Sequence, residues 1–85
     1  MALTVYERAV EKFGEAHQHY VFIEEMGECI AAISQFKNRG RGNEQDMIEE
    51  IADVQIMLEQ MKVIHGKKLE MAVIKKLQKL HGHIK

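Results

Sequence analysis

Three glutamates stand in an otherwise apolar segment, IEEMGECIAAISQFK, at residues 23–37. When the segment is placed on a helix at about 100° per residue, Glu25 falls inside the apolar arc and Glu28 lies at its margin. Glu24 lies further out, near Gln35. Glu25 and Glu28 are therefore the inward pair, and a carboxylate on an apolar face needs a partner that offsets the cost of its burial.

A second acidic pair occurs in the segment EIAD at residues 50–53. On the same projection Glu50 lies between Met57 and Met61, and Asp53 lies beside the apolar face. Residues three apart are neighbours on a helix surface. If the two helices pack antiparallel, both acidic pairs can lie at one place.

Four converging carboxylates repel one another, and an ionised carboxylate buried without a partner would normally protonate. Either a cation neutralises them or they do not converge. Oxygen-only ligands suit a hard divalent ion, Mg²⁺ or Mn²⁺, which retains water and is completed by substrate phosphates. Zinc would require histidine or cysteine, which this face lacks. The alternative is that Glu25 and Glu50 pair with lysine or arginine, or reach water at helix ends.

The elements that position these carboxylates are predicted to be helices. Thr4 followed by Glu7 is a capping-box pattern, so a first helix should run over residues 5–13. A second helix should cover the apolar stretch at residues 20–36. The segment NRGRG at residues 38–42 has two glycines and no apolar residue, which indicates a loop.

A third helix should run over residues 44–64, with Asn43 as its N-cap and Gly66 as its C-terminal cap. The short loop makes the two long helices antiparallel neighbours. No strand-like alternation competes with this pattern, so we expect an all-α fold of four helices. A last helix is indicated by apolar residues at helical spacing: Leu69, Val73, Leu77 and Leu80.

The third helix carries more apolar surface than one partner helix can cover. A helix that is apolar nearly all round is buried on both sides. With only four helices available, we expect a second subunit to provide the cover, as in a homodimer or homotetramer. The stripe opposite the acidic face consists of Ile48, Ala52, Ile56 and Val63.

Composition sets further limits. The 85 residues suit one domain, residues 1–85, which would bury only about 60% of its unfolded surface. The single cysteine, Cys29, excludes an intramolecular disulfide, and the lack of a disulfide suits a reducing cytoplasm. Cys29 is expected to be a small buried hydrophobe.

Twelve basic and thirteen acidic residues provide no global field for nucleic acid or an anionic membrane. With no membrane-length apolar run and no signal-peptide pattern, we expect a soluble cytoplasmic protein.

The acidic segments resemble the EExxE…ExxD signature of the MazG-like all-α nucleotide pyrophosphohydrolases. The chain has EEMGE at residues 24–28, then twenty-one residues, then EIAD. The similarity extends over residues 13–66, and the short single-domain form is most similar to proteins of phages and prophages. It implies a four-helix bundle with two long antiparallel helices, completed by oligomerisation into dimers or dimers of dimers.

The resemblance also implies an activity, Mg²⁺-dependent hydrolysis of nucleoside triphosphates to the monophosphate and pyrophosphate, which cleanses the nucleotide pool. Glu24 would be an outer-shell or water-positioning carboxylate. With Glu25 and Glu50 it forms the predicted catalytic set. The ion would be held by Glu25, Glu28, Glu50 and Asp53.

Basic residues are candidates for binding the phosphates of the substrate. Lys37, Arg39 and Arg41 lie ahead of the second acidic helix, where an ordinary solvated loop is the alternative interpretation. Related sequences often carry a lysine followed by arginines on the last helix. Here Lys76 and Lys79 occupy the nearest positions, and lysine lacks the bidentate fork of arginine. The five histidines are expected to be non-catalytic.

Two further classes of protein fit the same pattern. A dimeric dUTPase or a phosphoribosyl-ATP pyrophosphohydrolase shares the helical metal site and differs in its base and sugar pocket, for which Phe13, Tyr20 and Phe36 are the available aromatics. A helical interaction or regulatory protein could retain the carboxylates without turnover. A ferritin-like di-iron bundle would need Glu-x-x-His pairs, which are absent from the sequence.

Overall fold

The computed structural model describes residues 2–85, and within that range every regular element is helical. Helix α1 spans Val5–Phe13 and helix α2 spans Glu15–Ile33. A π-helical segment, Ser34–Asn38, continues α2, and helix α3 spans Glu44–Ile84. The prediction of an all-α fold is confirmed.

Helix α1 is held at its start by the predicted capping box. The Thr4 hydroxyl accepts from the Glu7 amide at 3.1 Å, and the Glu7 carboxylate accepts from the Thr4 amide at 2.9 Å. The helix ends at Gly14, whose φ of 91° is open to glycine and strained for other residues. This single residue turns the chain directly into α2, which therefore begins at Glu15, five residues before the predicted start.

The loop between the long helices is also fixed by local hydrogen bonds. The Arg39 amide donates to the Ser34 carbonyl at 3.2 Å, which closes the π-helical segment, and the Arg41 amide donates to the Gln35 carbonyl at 2.8 Å. The Asn43 side chain then accepts from the Asp46 amide at 2.8 Å, so α3 begins at the predicted N-cap.

Helices α2 and α3 pack against each other in antiparallel orientation. Gln18 near the start of α2 contacts Gln60 of α3, whereas Glu25, further along α2, lies near Glu50. Residue numbers thus rise along one helix as they fall along the other. This is the predicted relationship, and it sets the two acidic segments side by side.

Gly66 interrupts α3 with non-helical backbone angles, φ 53° and ψ −128°. It divides the helix into a first arm, residues 44–65, and a second arm, residues 67–84. Every residue from position 70 to 85 is exposed, so the second arm does not pack into a four-helix bundle within the single chain. The predicted last helix therefore exists as a projecting arm, because the chain resumes helical structure immediately after the glycine.

The core of the single chain is small. Val10, Met57 and Met61 are its buried apolar residues, and Gln18 and Gln60 are buried beside them. The sequence predicted a buried position for Cys29, but the residue is only half-buried. The reason is that other helices cover α2 on some sides only. Within residues 2–85, no helix combines the length and apolar character needed to cross a bilayer.

Candidate metal centre

The antiparallel packing of α2 and α3 brings three of the four predicted ligands together. Glu25, Glu28 and Glu50 each present a carboxylate oxygen, and these oxygens lie within 4.8 Å of one another. Glu25 and Glu28 are neighbours because they are three residues apart on α2. We call these three residues the acidic cluster. Asp53 is outside the cluster, although it lies one turn after Glu50 on α3.

Two oxygens of the acidic cluster are buried without a partner. Glu25 and Glu50 are half-buried, and the Oε2 atom of each is shielded from solvent and accepts no hydrogen bond. A buried acceptor without a hydrogen-bond partner destabilises the folded state, and more so when it is charged. Their orientation toward the other carboxylates therefore needs a compensating group.

Lysine and arginine do not supply that group. Among residues 2–85 the one ion pair joins Lys62 to Glu59, at 3.2 Å, on the exposed side of α3. Glu25 and Glu50 thus do not form the salt bridges that the alternative interpretation of the sequence required. Glu25 is the eleventh residue of α2 and Glu50 the seventh residue of α3, so neither lies at a helix end.

Burial raises the pKa of Glu25 above its ordinary value, and the negative charges of Glu28, Asp53 and Glu50 raise it further. The pKa of Glu50 is raised by burial, and then by the charges of Glu28 and Asp53. Asp53 thus lies close enough to act on both buried carboxylates. The site is short of positive charge, and a bound cation would favour the ionised form of both groups.

The donor set fits a hard divalent cation. The acidic cluster offers only carboxylate oxygens, including the two unpartnered ones, and this is the ligand type that Mg²⁺ and Mn²⁺ prefer. Three or four protein ligands leave positions for water and for phosphate oxygens of a substrate.

The remaining predicted site residues lie around the acidic cluster or away from it. Glu24 is exposed on α2, and its charge also raises the pKa of Glu25. Lys37 lies in the π-helical segment with its Nζ 5.4 Å from the centre of the Phe36 ring. Arg39 and Arg41 are exposed in the loop at residues 39–43. In the described part of the chain, none of these basic residues forms an ion pair with the acidic cluster.

Lys76 and Lys79 lie on the exposed second arm of α3, beyond the bend at Gly66. They are therefore carried by a different part of the molecule from the α2–α3 contact that holds the acidic cluster. A role for them in phosphate binding would require the second arm to approach an acidic cluster, from the same chain or from another copy.

The sequence did not predict two polar pairs that connect α2 to α3. The Gln18 amide donates to the Gln60 side-chain oxygen at 2.6 Å, and both residues are buried. The Nε2 atoms of His19 and His65 lie 2.9 Å apart at the surface. If α2 and α3 are aligned so that the two acidic pairs lie side by side, Gln18 falls near Gln60 and His19 falls near His65. This alignment is the signal in the sequence from which the two polar pairs could have been predicted.

No family model, curated protein or solved structure matches this chain. The fold and site define an all-helical protein with an acidic cluster between two antiparallel helices.

Proposed function

We propose that this protein is a Mg²⁺-dependent nucleoside triphosphate pyrophosphohydrolase, which converts ribo- or deoxyribonucleoside triphosphates to the monophosphate and pyrophosphate. The proposal is carried by one observation, the two buried and unpartnered Oε2 atoms of Glu25 and Glu50 in one acidic cluster. The resemblance of EEMGE and EIAD to the EExxE…ExxD signature supports the choice of reaction.

The residues that would hold the ion are Glu25, Glu28 and Glu50, with Asp53 beside them. When bound, Mg²⁺ supplies neutralisation of phosphate charge and a lower pKa for an attacking water. Water attacks the α-phosphorus, the bond from the α-phosphorus to the bridging oxygen breaks, and pyrophosphate leaves with that oxygen.

The chain's own residues would orient the water and the phosphates. Glu24 is exposed beside Glu25 and is the carboxylate available to accept the proton of the attacking water. Lys37, Arg39 and Arg41 follow α2 directly and would offset the charge of the phosphates. Positioning and electrostatics are the main contributions that phosphoryl transfer needs from a protein.

The proposed active form is a homodimer or homotetramer located in the cytoplasm. Ile48, Ile56 and Val63 on the first arm of α3 are exposed in the single chain, as are the apolar residues of the second arm. A second copy would cover these surfaces, which a small monomer could not leave in water without loss of stability.

The test is a panel of ribo- and deoxyribonucleoside triphosphates, assayed with Mg²⁺ and with a chelator, in which pyrophosphate and phosphate are measured separately. We expect pyrophosphate release that requires the metal. The control variant Glu11→Gln should release pyrophosphate as the wild type does, because the exposed carboxylate that it removes from α1 lies outside the acidic cluster. Release confined to dUTP or to phosphoribosyl-ATP would assign the narrower activity. If no triphosphate is hydrolysed and Mg²⁺ does not change the melting temperature, the chain would be a helical interaction or regulatory protein instead.

A further inference from the structure

We propose that the second arm of α3 is an exchange arm, which packs against the first arm of α3 in a second copy of the chain while the partner's arm does the same in return. This deepens the assembly part of the proposed function, and it does not depend on the proposed reaction. The partner that covers the exposed apolar surfaces of both arms is, in this proposal, a second copy of this chain.

The first argument is the area that the chain leaves exposed. Its accessible surface is 7007 Å², whereas a compact monomer of 9.8 kDa exposes about 5,200 Å². The excess is about 1,800 Å² per chain, which matches the area that each partner contributes to a large obligate homodimer interface. The radius of gyration, 15.6 Å, likewise exceeds the roughly 12 Å expected for a compact chain of this length.

The second argument is the pattern of apolar residues on the second arm. Five of them recur at spacings of four, four, three and four residues, which places them in a narrow stripe along one side of the helix. Such a stripe is typical of a helix that packs on one partner. The charged residues Lys75 and Lys79 lie away from this stripe. The exposed stripe consists of Val73, Leu77, Leu80 and Ile84, with Leu69 half-buried at its start.

The third argument is charge, which selects the partner surface. Residues 67–85 contain six lysines and one glutamate, a net charge of +5. The first arm, residues 44–65, contains six acidic residues and one lysine, a net charge of −5. Two second arms laid against each other would repel, whereas a second arm against a first arm is complementary.

The bend at Gly66 provides a place for the exchanged arm to enter. The two arms meet there in an open groove of about 710 Å³. A helix seated in this groove would continue along the first arm and cover its exposed apolar residues. Reciprocal exchange makes the interface the same on both copies and closes the dimer. The groove is lined by Leu58, Leu69, Val73 and Ile74, with Lys62 and Glu70 among its polar residues.

The first experiment measures the mass of the full chain by size-exclusion chromatography with light scattering, without nucleotide. We expect the wild type to be a dimer or a larger even-numbered assembly. Leu77→Glu should raise the dissociation constant by roughly 100-fold or more, because it places a carboxylate at the centre of the interface. Met71→Glu is the matched control on the opposite side of the arm and should leave the assembly unchanged.

Leu77 and Met71 are 49% and 59% exposed in the single chain, so both variants should keep their helix content in circular dichroism. A monomeric wild type, or a Leu77→Glu variant that assembles as the wild type does, would overturn the proposal.

The second experiment distinguishes arm exchange from pairing of the two second arms. Isotopically light and heavy chains are mixed, joined by a zero-length carbodiimide reagent that links lysines to carboxylates, and examined by mass spectrometry. Links between copies from Lys75, Lys76 or Lys79 to carboxylates of residues 44–59 would support the exchange. If the links between copies involve only Glu70 on the other arm, the exchange is wrong. Because neither readout involves turnover, failure of the hydrolase assay leaves this result intact.

Discussion

Glu25 on α2 and Glu50 on α3 lie in one acidic cluster, and each has a buried Oε2 atom that accepts no hydrogen bond. Two helices that pack through such a contact would gain stability if either carboxylate were replaced by a neutral group, because repulsion and desolvation both act against the ionised pair. Packing alone therefore does not explain the presence of both acids, whereas the proposed cation site would.

Glu50→Gln should abolish Mg²⁺-dependent release of pyrophosphate while leaving the fold intact or more stable. Glutamine preserves the size of the side chain but removes the charge that would bind the ion. The measurement is pyrophosphate release, combined with thermal melting in the absence of metal. The control is Glu49→Gln, the exposed neighbour outside the acidic cluster. Wild-type activity in Glu50→Gln would show that Glu50 is not a ligand.

The stability of the metal-free protein should fall as pH rises from about 4.5, the ordinary pKa of glutamate, toward the raised pKa values of Glu25 and Glu50. In this window the unfolded chain loses protons that the folded chain retains, so ionisation favours unfolding. Below the pKa that glutamate has in the unfolded chain, the contribution of Glu25 and Glu50 to the free energy of unfolding does not change with pH. Melting in a chelator across pH 4 to 8, compared with Glu25→Gln/Glu50→Gln, isolates the effect, because the double variant should lack it. Equal pH profiles for the two proteins would contradict the prediction.

Mg²⁺ should stabilise the folded protein above this pH window, where the cluster carboxylates are ionised. A ligand that binds only the folded state at 100 times its dissociation constant adds about 2.7 kcal/mol to the free energy of unfolding. Melting temperature is measured against Mg²⁺ concentration at constant ionic strength. Na⁺ matched in ionic strength is the control for screening. An equal shift in Glu28→Gln and the wild type would place the binding site elsewhere.

Local signals in the sequence account for much of the fold. The start of α1 follows from the capping box at Thr4 and Glu7, its end follows from Gly14, and the start of α3 follows from Asn43. These residues act through hydrogen bonds within four positions of themselves, so no knowledge of the tertiary structure is needed. The early start of α2 was missed because its apolar pattern begins at Tyr20, whereas the turn into the helix depends on Gly14 alone.

Features that depend on contacts between helices were predicted less completely. Projection onto two helices selected Glu25, Glu28, Glu50 and Asp53, because periodicity fixes which side chains share a face. The structure brings the first three into the acidic cluster and leaves Asp53 beside it. The buried pair of Gln18 and Gln60 depends on the axial register of α2 against α3, which periodicity leaves open. The direction of the second arm depends on the backbone at Gly66 and on what packs against the arm.

Gln60→Leu should lower the free energy of unfolding by about 1–3 kcal/mol, because it leaves the buried Gln18 amide without its acceptor. Gln18 and Gln60 are 4% and 5% exposed, so water cannot replace the lost partner readily. Urea denaturation of both single variants and of Gln18→Leu/Gln60→Leu forms a double-mutant cycle. The double variant should recover much of the loss. If the losses simply add, the two side chains do not stabilise each other.

Gly66→Ala should lower the free energy of unfolding by about 1–3 kcal/mol, because a φ of 53° with a ψ of −128° is open to glycine but strained for alanine. Gly82→Ala is the matched control, since Gly82 lies within the second arm without a positive φ, and alanine there should be neutral or stabilising. A Cβ atom at either position meets no atom within 4 Å, so the comparison measures backbone conformation and not packing. Chemical denaturation gives both values. Equal stabilities for the two variants would show that the bend at Gly66 is not held in this conformation in solution.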